Sequence, residues 1–183
     1  MTAPASFFER LLQKTTFDEF GGPRNHDLAC IGFLGKAKIA LCFEAKATEG
    51  FGSKTVGKEL DSALKSRQNG VSTNVPERIY GLCNKLWNKT IDEEIKKIEY
   101  QLLYSTLGTV AFAKKNNISK AIFVVYQLET DLTTEEICEK HFDSLKSFVS
   151  IFNKVITKNE LCKIGIIDGI DLSILYIQRR KDV

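Results

Sequence analysis

Residues 27–48 read DLACIGFLGKAKIALCFEAKAT. Two apolar runs, DLACIGFL (27–34) and KIALCFEAKAT (38–48), are joined at Gly35-Lys36, which predicts an antiparallel two-strand hairpin. A strand alternates its facing every two residues, so Glu44 and Lys46 share one face while Phe43 and Ala45 take the other. A carboxylate and an ammonium buried there without partners would each cost several kcal/mol, so their placement needs a reason. A metal site lined by Glu44 and by Asp27, seventeen positions upstream, is one reason. A surface ion pair on an edge strand is the other, and it would contribute little energetically.

Outward from the hairpin, Phe7, Phe8, Leu11 and Leu12 fall at helical spacing and predict a first helix over Ala5–Lys14. Gly21, Gly22 and Pro23 make Phe17–Asn25 a loop that delivers the chain into Asp27. Beyond Gly50-Phe51-Gly52, the positions Val56, Leu60 and Leu64 predict a helix over Thr55–Arg67, capped by Ser53 or Thr55 and ended at Asn69-Gly70. A looser stretch with Pro76 leads to a short helix through Ile79, Leu82, Leu86 and Trp87. Thr90-Ile91-Asp92-Glu93 has the form of a capping box, and the pattern then runs through IKKIEYQLLYSTLGTVAFAKKN as the longest helix. KAIFVVYQL (120–128) is a nearly continuous run of β-branched and aromatic residues, the mark of a central strand covered on both faces. Thr133–Ile156 reads as an amphipathic helix behind a second capping box, and Lys163–Ile167 and Leu172–Gln178 as two strands around Asp168-Gly169. With no internal repeat, low-complexity segment or linker, residues 1–183 predict one mixed α/β domain.

The net charge of +3, from 26 basic against 23 acidic residues, does not by itself announce a nucleic-acid partner. Local clusters at Lys54, Lys58, Lys65 and Arg67, and at Arg179, Arg180 and Lys181, read as a solvated helix face and a charged tail. Five cysteines without a CxxC pair fit buried free thiols in a reducing compartment. The start MTAPASFFERLL lacks a basic segment followed by a long apolar one, and no run approaches the roughly 18 apolar residues of a membrane span, so a cytoplasmic location without membrane contact is expected. No His or Cys pair has zinc spacing, and phosphate-binding glycine loops are missing. His26 reads as a loop residue and His141, among Glu139, Lys140 and Asp143, as an exposed one.

Two carboxylates on adjacent strands can hold one or two magnesium ions, which keep several waters and accept a substrate phosphate. Asp27 and Glu44 would be those ligands, with the Ala45 carbonyl as a third. Lys46, on the Glu44 face, could orient or deprotonate an attacking water and stabilise the transition state of phosphodiester hydrolysis.

An acidic residue, a hairpin, and then Glu44-Ala45-Lys46 resembles the PD-(D/E)XK nuclease superfamily. The resemblance implies a restriction-endonuclease-like α/β fold, a mixed central sheet flanked by helices. It also implies a metal-dependent nuclease using magnesium or manganese on nucleic acid, DNA more than RNA, and leaves a homodimer open. Tyr100-Gln101-Leu102-Leu103-Tyr104 resembles the helical motif of the RecB-like branch, in which Gln101 and Tyr104 would support the site or the substrate. Glu9 matches the acidic helix residue that some members add to the metal shell, and Lys54 joins these as a candidate substrate contact. EAKATEGFGSKTVG (44–57) with YQLLYSTLGTVAFAKK (100–115) is also similar to a small bacterial family assigned to that superfamily, so the likeness spans residues 5–128. The chain departs from the pattern in two places. His26 stands where the superfamily name has proline, and only two strands precede the helix where the usual order is helix, three strands, helix, strand. The alternative reading is a module that keeps this fold for nucleic-acid or protein binding without turnover.

Overall fold

The structure is a computed structural model and describes residues 26–180, together with the backbone alone at 9–10 and at 180. Its elements are β1 (Glu9–Arg10), β2 (Leu28–Leu34), β3 (Ala37–Lys46), α1 (Val56–Gln68), α2 (Val75–Trp87), α3 (Glu93–Lys97), α4 (Tyr100–Lys115), β4 (Lys120–Glu129), α5 (Glu135–Ser150), β5 (Leu161–Ile167) and β6 (Ile170–Arg180). The strands form one mixed α/β sheet in the order β1-β2-β3-β4-β6-β5. β2 and β3 are the expected antiparallel hairpin, β3, β4 and β6 run parallel, and β5 closes the far edge antiparallel to β6.

The apolar run at 120–128 occupies the centre, as its composition requires. Register aligns Cys42 with Phe123 and Phe123 with Ile174, and likewise Glu44 with Val125 and Val125 with Tyr176. The positions of this phase from Ala40 to Lys46 on β3, Ala121 to Gln127 on β4 and Leu172 to Tyr176 on β6 are all buried, and they include two charged residues, Glu44 and Lys46, and one amide, Gln127. Tyr176 ties α5 to the sheet through a hydroxyl donated to the Cys138 carbonyl and a ring 5.0 Å from that of Phe142. All five cysteines are buried free thiols. Among the described residues no helix is long and apolar enough to cross a membrane.

Four expected elements differ. Glu9–Arg10 is a strand, not part of a helix, and pairs with Ile31 and Cys30; the rest of Ala5–Lys14, the loop over Phe17–Asn25 and Lys181 lie outside the described residues. Pairing along the outer edge of β2 satisfies backbone groups that a helix there would leave open, so tertiary contact overrides the local spacing. The expected longest helix is two, because Ile98 and Glu99 are extended (ψ 138° and 122°). Glu99 forms a bridge with Thr55, the Val56 amide donates to the Ile98 carbonyl at 2.8 Å, and the Tyr100 amide donates to the Lys54 carbonyl at 3.1 Å. Pro76 opens the first turn of α2 instead of delaying it, and α5 stops at Ser150, where a left-handed Asn153 (φ 55°) soon turns the chain away.

The α1–α3 approach is close. A methyl group on Gly57 would lie 3.1 Å from the Lys96 carbonyl oxygen, whereas one on Gly81, in the interior of α2, would meet nothing within 4 Å. Gly57→Ala should therefore lower stability by about 1–3 kcal/mol despite the better helix former. Gly81→Ala should raise stability by about 0.5–1 kcal/mol. Urea unfolding midpoints of the two variants check both signs.

Candidate functional site

β3 outlasts β2. The last register pair is Leu28 with Phe43, the Asp27 amide donates to the Phe43 carbonyl at 3.2 Å, and the Ala45 amide donates to Asp27 Oδ2 at 2.7 Å. Peptide groups alternate sides along a strand, so the Ala45 carbonyl points the same way as its amide, toward the end of β2 where Asp27 sits. Asp27 is exposed.

Behind it lie the two charges of the β3 face. Lys46 Nζ is 2.7 Å from Glu44 Oε1, and the two side chains are only 4% and 5% exposed. Helix α4 supplies the remaining partners of Glu44: the Gln101 amide donates to the same Oε1, and the Ser105 hydroxyl also bonds the carboxylate. One helical turn further, the Thr109 hydroxyl donates to the Ser105 carbonyl at 3.0 Å beside the Cys42 thiol, so Gln101, Ser105 and Thr109 form a polar stripe facing the phase of β3 that carries Cys42 and Glu44. Burial pushes the Glu44 carboxyl above its ordinary range; the Lys46 ammonium and Ser105 pull it back, and the Asp27 charge pushes with the burial.

The Asp27 charge thus raises the cost of charge on Glu44, which is the condition a divalent cation would relieve. Asp27, Glu44 and the Ala45 carbonyl are hard oxygen donors, and a set this small suits magnesium, which retains most of its waters. Among the described residues no group of three or more His, Cys, Asp and Glu side chains is placed to hold a metal, so any ion here leans on the main chain and on water.

The sheet and α4 therefore bring together Asp27, Glu44, Ala45, Lys46 and Gln101. Tyr104 packs edge-on against Tyr100, ring centres 5.4 Å apart, and is only half-buried. Lys54 is half-exposed and paired with Glu59 at 2.6 Å. Glu9 pairs through its backbone on the strand next to β2, and its side chain lies outside the described residues.

Residues 5–181 match the family described as a domain of unknown function, DUF6946. The chain belongs to that family. No curated protein and no solved structure matches it.

Three residues near this DUF6946 site escape the sequence reading. His141 is buried, not exposed, with Nδ1 2.6 Å from Gln127 Oε1; the spacing Cys138, His141, Phe142, Leu145 puts it on the buried stripe of α5 and was the available signal. Gln127 could have been singled out as the one amide in an apolar strand. His26 is buried beside α4, and burial drives its imidazole down to about 4, against smaller opposing effects from the Gly108 main chain and the Asp27 charge.

Two predictions follow from these burials. Lys46→Met leaves the Glu44 charge uncompensated and should cost about 3–5 kcal/mol at neutral pH. Because a raised carboxyl holds its proton longer in the folded state, that deficit should fade on acidification, with the Glu44 titration midpoint above that of wild type in carboxyl-carbon NMR. His26 carries the opposite sign. The folded state binds fewer protons than the unfolded one between 6.5 and about 4, so stability should fall as pH drops through that window. His26→Leu should remove this part of the slope in urea midpoints measured against pH.

Proposed function

We propose that this protein is a metal-dependent nuclease that hydrolyses phosphodiester bonds, with DNA as the favoured substrate. The observation that carries the reading is the convergence of Asp27, Glu44, the Ala45 main chain and Lys46 where β3 runs past the end of β2. The strand order supports it as well: β1 supplies a third strand before the helices, β2 and β3 form the hairpin, and β4 returns parallel to β3, in keeping with the strand order of the PD-(D/E)XK superfamily, while the helix that order places first lies outside the described residues.

A divalent cation at Asp27 and Glu44 would supply Lewis acidity toward a phosphoryl oxygen and a more acidic water. Glu44 is held for this by Gln101 and Ser105, which fix the carboxylate without adding charge. Lys46 reaches the reacting phosphate as a cation shielded from bulk water, where its field acts at low dielectric. Asp27, locked on the Ala45 amide, sets the distance between the two carboxylates through the main chain.

Cleavage of plasmid and linear DNA with magnesium or manganese tests the reading. Asp27→Ala, Glu44→Ala and Lys46→Ala should each lose activity by about 100-fold or more, and chelation should abolish it in the wild type. If wild type and variants are equally inert on DNA and RNA with both metals, the fold serves binding without turnover.

A further inference from the structure

Lys46 has a second neighbour besides Glu44. Its Nζ stands over the Phe51 ring, 5.3 Å from the centroid, on the side the loop after β3 provides. Phe51 is buried and meets the His141 ring edge-on, centroids 5.9 Å apart at 70°. His141 in turn bonds Gln127 Oε1 through Nδ1 at 2.6 Å. The Gln127 amide nitrogen donates to the Ala47 carbonyl at 3.0 Å and to the Leu128 carbonyl at 3.3 Å. Gln127 lies next to Lys46 in the β3–β4 register.

The bonding fixes the roles of each atom. Both carbonyls accept only, so the Gln127 nitrogen faces them and its oxygen faces His141, which must therefore carry its proton on Nδ1. Burial and the Lys46 charge hold the imidazole below its ordinary value, with a smaller push from Lys140 opposed by Glu49, so a neutral donor is the form present. An apolar residue would fill the place of Gln127, fully buried on an apolar strand, with no polar group to satisfy. What the amide adds is a double attachment, to the chain immediately after Lys46 and, through His141, to the ring beneath its ammonium.

We propose that Gln127 and His141 are positioning residues for Lys46, acting through the Ala47 carbonyl and the Phe51 ring to hold its ammonium against Glu44. The assignment of a kinetic consequence rests on the nuclease reading; the assignment of position does not.

The test uses the full chain with both polar partners made apolar, His141→Leu with Gln127→Leu, so that neither side chain of the buried Gln127–His141 bond is orphaned; the carbonyls that lose the Gln127 donor belong to half-buried Ala47 and exposed Leu128, and the unfolding temperature stays near that of wild type. Two readouts are taken. One is the Lys46 ammonium signal in a proton–nitrogen correlation spectrum of lysine side chains, assigned by its loss in Lys46→Met. The other is DNA cleavage, where kcat should fall about 10- to 100-fold with KM nearly unchanged, as for a misplaced reacting group. The ammonium signal, protected from exchange in wild type, should broaden away in the double variant. Persistence of either the protected signal or the wild-type kcat in a folded double variant overturns the proposal. Should that variant not fold, Phe51→Leu replaces it and is read the same way. If the wild-type protein cleaves nothing, the nuclease reading fails and the ammonium signal alone decides the positioning.

Discussion

Glu44 and Lys46 sit two residues apart on the one face of β3 that is packed under helices, with almost no exposure to water. Two ions so placed lose most of their hydration, and their mutual attraction returns that loss only when the remaining lone pairs and protons find partners. Much of the local architecture answers this demand. Helix α4 interrupts an apolar surface with Gln101, Ser105 and Thr109, β4 carries Gln127, and the loop after β3 turns Phe51 under the ammonium. Buried ion pairs of this kind can often be replaced by well-packed aliphatic residues without loss of stability. The arrangement is therefore better understood as an electrostatic device held in place by its fold than as a contribution to holding the fold together.

The charge distribution around it has a direction. Asp27 is exposed, whereas Glu44 and Lys46 are both buried, the lysine against an aromatic ring. A negatively charged ligand entering past Asp27 would meet repulsion unless a cation preceded it. On the nuclease reading, that ordering would make binding of metal and of an anion interdependent.

The hairpin, the central strand and the Asp27–Glu44–Lys46 grouping were legible because each depends on a local pattern within a short stretch. Gly35, the apolar 120–128 run and the Asp168-Gly169 turn are local signals of that kind, the last with both residues left-handed (φ 50° and 82°). What was not legible depends on contacts between distant segments. The amphipathic run through 93–116 looks like one helix until Thr55 bridges Glu99, and Glu9–Arg10 takes its conformation from the open edge of β2. His141 was misread for a different reason. Glu139, Lys140 and Asp143 around it are charged, and only the three- and four-residue spacing to Cys138 and Leu145 reveals which way it faces.

The junction between α3 and α4 has a mechanical meaning. The Tyr100 amide is tied to the Lys54 carbonyl and the Val56 amide to the Ile98 carbonyl, so the segment leaving β3 is fastened to the start of α4 at the residue preceding Gln101. Together with the Gln101–Glu44 bond this makes a closed circuit: strand, connecting loop, main-chain clasp, helix start, and back across to the strand. A circuit of that kind has no free end about which to pivot. Slack introduced anywhere along it, by lengthening the connection or loosening the clasp, is passed on to the spacing between the amide of Gln101 and the acid of Glu44 instead of being absorbed at the surface.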